Sequence, residues 1–427
     1  MSGPFVALRG KAPAERYSAR DVMRPSRNPS CGALPLLEAA GVRPDTAAGI
    51  AHELEMGPDP RHGMSNIARQ QGDTWDETLF DDGRPLLDAL VRDAYLSDHD
   101  VDLLNISDHV DPTRASDGTP AARGGRTTDK DQRERERVTY NRARARITAE
   151  VVSDAVDAER PTLVLRSVLE ATAILGSAIP TFLELDFALI IPEGRRIPGP
   201  EPARVFGEGS VIIIGDGKSW RRLGRLDNGD KRAEAARQVA AYRWVASQVW
   251  PARAAEAVAD HGLVANPPGA GGLSTVRLTR LDLRDHGRAL TAQRAAAYGQ
   301  LARAQGRVAA AVAAGASLTP PDGTPEPDTA RRRAILAILA ESHWLPSCLS
   351  GCPMGGACRR HAETTGQIGR LGGIAEEAGP VASLERLSRL RRGVVSPTQS
   401  EADVTERLAR AEAVLGPDPA LPWERGR

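Results

Sequence analysis

Four cysteines and one strand ending in D-x-K are the residues here whose types and spacing can do chemistry. Cys348, Cys352 and Cys358 fall within CLSGCPMGGAC, a C-x3-C-x5-C group with Gly and Pro between the sulfurs, while Cys31 stands far upstream. Structural zinc is usually held by two local pairs of ligands. One remote thiolate and three clustered ones suit a [4Fe-4S] cluster, closed by the distant cysteine. Zinc and unliganded thiols remain the other two readings. With a cluster bound, residue 31 would be tied to residue 358, a structural clasp that requires no redox chemistry.

The second group is acidic. VIIIGDGKS ends an apolar run on Asp216, Gly217 and Lys218, and Asp186 lies inside the preceding apolar run with Glu184 two residues earlier on the same face. Carboxylates on adjacent strands chelate Mg2+ or Mn2+ through oxygen, and the Gly217 carbonyl is accessible as a further ligand. A lysine beside them can orient a water and stabilise charge on a phosphate. D-x-K is common in surface turns. Here it ends a buried-type strand in a chain with four lysines against 52 arginines. An arginine would be bulkier and effectively never neutral, so it would replace that lysine poorly. The G-x4-G-K-[ST] spacing is missing, which excludes a P-loop. Gln238 and Tyr242, four apart, share one helix face, a spacing that mostly reflects packing. His52, in GIAHELE, is a lone histidine on a probable helix, and such residues are more often structural than ligands.

The elements that must position these residues follow from patterning. FLELDFALII (182–191), SVIIIGDGKS (210–219) and TVRLTRLDL (275–283) read as strands, and 162–173 as a short strand passing into a helix or second strand. A Pro/Gly-rich connection between 191 and 210 predicts a hairpin with a long loop. Helices are predicted around 34–37, 47–54, 86–95, 233–250, 292–313 and 330–343, with a charged helical tail. The Arg-rich run DKDQRERERVTYNRARAR is either a mobile insertion or a solvated helix, and 316–328 is a linker by its prolines. The order of elements predicts an α/β core with helical additions on either side of it.

Lys plus Arg and Asp plus Glu both total 56, so the net charge is zero. That argues against a polycationic nucleic-acid coat or a membrane-surface protein but leaves room for a local basic groove. No apolar run approaches the roughly 20 residues of a membrane span, and the first residues lack a signal-peptide core. A cytoplasmic protein is expected.

Taken in order, Cys31, His52, Asp186, Asp216-Gly217-Lys218, Gln238…Tyr242 and the three late cysteines resemble the RecB-like branch of the PD-(D/E)XK nucleases. The likeness is to its iron–sulfur members, the AddB-type nuclease domains and CRISPR-associated exonucleases. YSARDVMRPSRNPSC also looks like that family's opening helix and approach to its first cluster ligand. The chain departs from the family in having C-x3-C where C-x2-C is usual, and in placing Gly49 three residues before His52 where four is usual.

The resemblance implies a restriction-endonuclease-like α/β fold, a central mixed sheet flanked by helices, with a helical iron–sulfur clasp. It implies Asp186, Asp216, the Gly217 carbonyl and His52 as ligands of Mg2+ or Mn2+, Lys218 as the residue that positions the attacking water, and Gln238 and Tyr242 as residues that help hold DNA. Cys31, Cys348, Cys352 and Cys358 would bind the cluster. The expected organisation is an N-terminal helical segment (1–60), a helical and charged insertion (61–160) without counterpart in the family, the nuclease core (161–315), a linker (316–330), the iron–sulfur segment (331–362) and a helical tail (363–427) that the resemblance does not cover. The implied partner is DNA, contacted in part by Arg133–Arg146 and Tyr140 or with that run as a solvated helix. No helicase motor motif is present, so unwinding would fall to a helicase or another repair or defence subunit. The competing classes are a non-catalytic DNA-binding or scaffold subunit and a zinc-stabilised interaction protein.

Overall fold

The computed structural model describes residues 3–11, 22, 28–54, 56, 74–77, 79–80, 83–109, 130–158, 160–175, 177, 180–192, 209–218, 229–267, 275–319, 327–345, 348, 352–367, 370, 381 and 383–415. The chain divides into two compact units. One comprises Met1–Ala14, Arg27–His62 and Ala297–Arg427, and the other Glu15–Ser26 and Gly63–Ala296.

The helices, in chain order, are α1 (Pro4–Arg9), α2 (Ala33–Ala40), α3 (Pro44–Glu53), α4 (Arg84–Arg92), α5 (Lys130–Val156), α6 (Thr172–Leu175) and α7 (Gly229–Val249). They continue with α8 (Ala252–Glu256), α9 (Arg284–Ala313), α10 (Pro327–Leu339), α11 (Gly355–Thr364), α12 (Leu384–Arg391) and α13 (Ala402–Leu415).

The unit containing residues 63–296 is built on a six-stranded open sheet of β1 (Asp102–Asn105), β2 (Thr162–Glu170), β3 (Phe182–Ile191), β4 (Val211–Gly217), β5 (Val258–Asn266) and β6 (Arg277–Asp282), arranged side by side in that order. The sheet is mixed: β1/β2 and β4/β5 pair parallel, and the remaining neighbours antiparallel. The two parallel steps are crossed by α5 and α7, the long connections that parallel strands require.

Both faces of the sheet are covered, so its central strands are nearly continuous apolar runs. On one face Ile212 and Ile214 of β4 pack with Val152 of α5 and with Val239, Val245 and Ala246 of α7. On the other face Ile213 joins Leu79, Phe80, Leu86 and Leu90. Gly215 is dictated by a close approach: a Cβ there would lie 1.9 Å from Cζ of Phe187, whose ring crosses it from the paired position on β3.

The expected α/β sheet flanked by helices is present. Two strands escaped the pattern. β1 is only four residues long, and β5 (VADHGLVAN) carries Asp260, His261 and Gly262 in its first half. That glycine is a packing requirement, because a Cβ would meet Val239 Cγ1 at 2.5 Å and the Ile214 carbonyl at 2.9 Å. Within 61–160, set apart above as an insertion, the described β1 pairs with β2 and α5 packs on the face of the sheet. Residues 193–208 of the long β3–β4 connection and 320–326 of the 316–330 linker lie outside the described residues.

The other unit has its own core, in which Leu36 and Leu37 of α2, Ala47 and Ala51 of α3, Val308 of α9 and Ile335, Ile338 and Leu339 of α10 are buried together. The tail 381–415 adds a small apolar cluster, and the Arg386–Glu401 pair braces it at 2.7 Å. Among the described residues no helix is long and apolar enough to cross a membrane.

Candidate functional site

Asp186, Asp216, Gly217, Lys218, Gln238 and Tyr242 all lie in the sheet unit and converge. Pairing of β3 with β4 brings the two acidic strands together, and Lys218 N–H donates to the Ala265 carbonyl at 2.8 Å, holding the end of β4 against β5. Asp186 Oδ2 accepts the Gly217 N–H at 2.6 Å. Gln238, projecting from α7, accepts from Lys218 Nζ at 2.9 Å and donates to Asp216 Oδ1 at 3.2 Å and to Tyr242 Oη at 2.9 Å. The Lys218 ammonium also lies 2.6 Å from Asp216 Oδ2. That oxygen is buried, and among the described residues the ammonium is its one polar contact. Gln238 and Tyr242 therefore act from beneath: Tyr242 is only 4% exposed, and the pair fixes the lysine and the carboxylate. Their spacing was legible, whereas their depth was not.

The field at the site is negative and poorly hydrated. Burial, then the neighbouring Asp216 charge, pushes the Asp186 carboxyl well above the usual aspartate range, and Lys218 offsets only part of this. Burial, then Asp216 and Asp186, also raises the Tyr242 phenol well above its ordinary value, which keeps it neutral. Asp76, which pattern reading did not single out, adds to the negative potential at Asp186 from the helical segment 74–77. Its signal was an ordinary acidic helix position, with nothing to set it apart. Asn266, at the end of β5, is fully buried, and among the described residues neither its amide nitrogen nor its oxygen has a hydrogen-bond partner.

The raised Asp186 value sets a stability sign. A carboxyl whose folded value lies above its unfolded one contributes stability below the unfolded value, and that contribution is lost as pH rises through the folded one. Asp186→Asn is therefore expected to melt higher than the parent near neutral pH without divalent cation, with the gap closing on acidification. Thermal unfolding across pH checks this. A variant that melts lower throughout contradicts it.

Among the described residues no group of three or more His, Cys, Asp or Glu side chains is drawn together tightly enough to cage a single ion. Magnesium is commonly held by one or two carboxylates, with water and substrate phosphate completing its shell. Asp186 and Asp216 with the Gly217 carbonyl are a donor set of that kind. His52 is an exposed residue of α3 in the other unit.

The four cysteines are together in that other unit, as free thiols. Gly32 N–H donates to the Glu341 carbonyl at 2.9 Å, and the Asn28 amide donates to the His343 carbonyl at 2.6 Å, so the segment bearing Cys31 lies against the one leading to Cys348. Cys348 Sγ accepts from Asn28 Nδ2 and from Leu345 N–H, both at 3.4 Å. Cys31 sulfur is hydrogen-bonded by the backbone of His343, Leu34 and Ala33, and burial raises its thiol. Cys358 is raised well above the usual thiol range by burial and then by Cys31, Cys352 and Cys348. Cys358 thus feels the charge of the other three cysteines, and backbone or side-chain N–H groups act on Cys31 and Cys348.

The Arg-rich run lies in α5, and three of its arginines pair with glutamates of the protein. Arg144 is buried and grips both Glu184 oxygens at 3.1 Å, while Arg142 pairs with Glu170 and Arg146 with Glu150. Glu184 thereby serves Arg144 rather than the acidic pair. Comparison with protein-family models, with curated proteins and with solved structures found no match for this chain.

Proposed function

We propose that this chain is a Mg2+- or Mn2+-dependent DNA nuclease of the RecB-like PD-(D/E)XK type, with a [4Fe-4S] clasp in its second unit. The observation that carries the reading is the Asp186–Asp216–Lys218–Gln238 network at the end of an antiparallel strand pair. Accidental D-x-K turns do not place a lysine between a buried carboxylate and a helix-borne glutamine. Asp186, Asp216 and the Gly217 carbonyl would hold the cation, which when bound would polarise the phosphate and stabilise the leaving oxygen. Lys218, held by Gln238, presents its remaining N–H bonds to the attacking water or a phosphate oxygen. Tyr242 keeps Gln238 from turning away. His52, the further ligand that the resemblance implies, would complete the shell from the other unit.

Cys31, Cys348, Cys352 and Cys358 would bind the cluster. A single zinc ion gathers its thiolates at about 2.3 Å from one centre, whereas a four-iron cube spreads them over a larger cage. What supports the cluster is that Cys358 feels the charge of the other three cysteines, the remote Cys31 among them. The retained acidic pair and lysine favour catalysis over a purely scaffolding role, in repair or defence and with a helicase or similar subunit supplying any unwinding.

The test is anaerobic purification followed by incubation with linear DNA. Brown protein containing iron and sulfide, and degradation that needs Mg2+ or Mn2+ and stops in EDTA, are expected. Colourless zinc protein would refute the cluster. Undigested DNA under all these conditions would refute the nuclease.

A further inference from the structure

One residue inside the sheet has a backbone that strands do not adopt. Arg166, in the middle of β2, has φ +53°, the left-handed region that side chains with a Cβ avoid. The other described non-glycine residue with positive φ, Ala94, closes the end of α4 with Tyr95 N–H donating to the Leu90 carbonyl at 2.8 Å, an ordinary helix ending. Arg166 ends nothing. The pairs Leu165–Phe187 and Ser167–Leu185 flank it, so it stands opposite Asp186.

Both strands reverse their facing at this rung. Leu163 and Leu165 belong to one core and Leu169 to the other, while Leu183 and Leu185 lie in that second core and Phe187 and Leu189 in the first. The distortion is held from several sides. Buried Arg144 donates to the Arg166 carbonyl at 2.8 Å while gripping Glu184, and Thr148 Oγ1 accepts the Val168 N–H at 3.0 Å. A strained backbone persists only where its surroundings over-determine it, and such residues concentrate at functional sites.

The consequence is where the side chain goes. The Arg166 guanidinium lies over the Phe80 ring, 5.8 Å from its centroid. That ring also borders the acidic site: the position of a Cβ on Gly217 is 3.4 Å from Phe80 Cζ and 3.3 Å from Asp186 Oδ2. Among the described residues the guanidinium makes no ion pair or hydrogen bond, unlike Arg142, Arg144 and Arg146 nearby. It is half-buried and stacked on an aromatic ring that borders the acidic site, with its donors unused among the described residues.

We propose that Arg166 is a phosphate-binding residue that seats the substrate backbone beside the Asp186–Asp216 pair, and that the left-handed turn in β2 serves to aim it there. A planar guanidinium with free donors matches a phosphodiester bidentately. Identifying that anion as DNA rests on the nuclease reading. Anion capture by Arg166 does not.

The experiment uses the full chain with Arg166→Gly and Arg166→Gln. Fluorescently labelled DNA is bound in EDTA, where no cleavage occurs, across a salt series, and thermal unfolding is recorded in parallel. Arg166→Gly is expected to melt higher than the parent, because glycine accepts positive φ. It should also bind DNA about tenfold more weakly, with the salt slope reduced by about one. Arg166→Gln should show the same binding loss without the gain in stability. Parent-like affinity and slope in both variants would overturn the proposal, as would a parent that binds no DNA. Cleavage by the parent with Mg2+ is scored separately: a parent that binds through Arg166 but does not cleave refutes only the nuclease reading.

Discussion

Lys218→Ala is expected to digest DNA about 10²–10³-fold more slowly than the parent at saturating Mg2+, the scale of losing one preorganised donor at a developing charge. The structure sharpens this in two ways. Lys218 Nζ is fixed at once by Gln238 Oε1 at 2.9 Å and beside Asp216 at 2.6 Å, so its replacement removes a positioned cation rather than a mobile one. It also strips Asp216, 1% exposed, of its counter-charge. Leaving a buried charge uncompensated costs about 3–5 kcal/mol, so the variant should unfold earlier as well. Lys218→Ala combined with Asp216→Asn separates the two effects, because it should recover stability without recovering cleavage. Arginine at 218 should not rescue activity, since its planar fork cannot occupy the place of a compact ammonium. Parent-like digestion by Lys218→Ala would remove the acidic network from the reaction altogether.

Cys31→Ala is expected to be the most damaging change to folding. Binding energy at a structural thiolate metal site becomes folding energy, on the order of 10 kcal/mol for a complete site. Cys31 lies among the apolar side chains of its own unit, together with Leu36, Ile338 and Met354. Its loss should empty the protein of iron, bleach its colour and shift urea unfolding of that unit to lower concentration. Asn28→Ala, which removes only the N–H donor to Cys348 Sγ, should retain iron with a modest loss of stability. Full iron content and unchanged unfolding in Cys31→Ala would show that the clasp is not what holds the unit together.

The core of the sheet was readable because β3 and β4 are buried on both faces and say so in Leu, Ile and Phe. The D-x-K at the end of β4 was readable because lysine is scarce in this chain. What stayed hidden depended on partners distant in sequence. β5 looks polar until Gly262 is seen to admit Val239 and the β4 backbone. Arg144 looked like part of a DNA-facing run until Glu184 and the Arg166 carbonyl claimed it. The backbone of Arg166 left no trace in composition, since an arginine between Leu165 and Ser167 reads as an ordinary strand residue. Asp76 carries no spacing signature either, and only its proximity to Asp186 marks it.

The division of the chain has a consequence for synthesis. The sheet unit runs almost uninterrupted from Gly63 to Ala296, whereas the cysteine unit needs Arg27–His62 and residues beyond Ala297. A ribosome releases the whole sheet before it has made Cys348, and domains fold as units while they emerge. The sheet can therefore mature first, with Cys31 already outside the exit tunnel and still lacking its three partners. During that interval the Cys31 thiol stands without the three cysteines that share its unit in the finished fold, so that unit closes only late in translation.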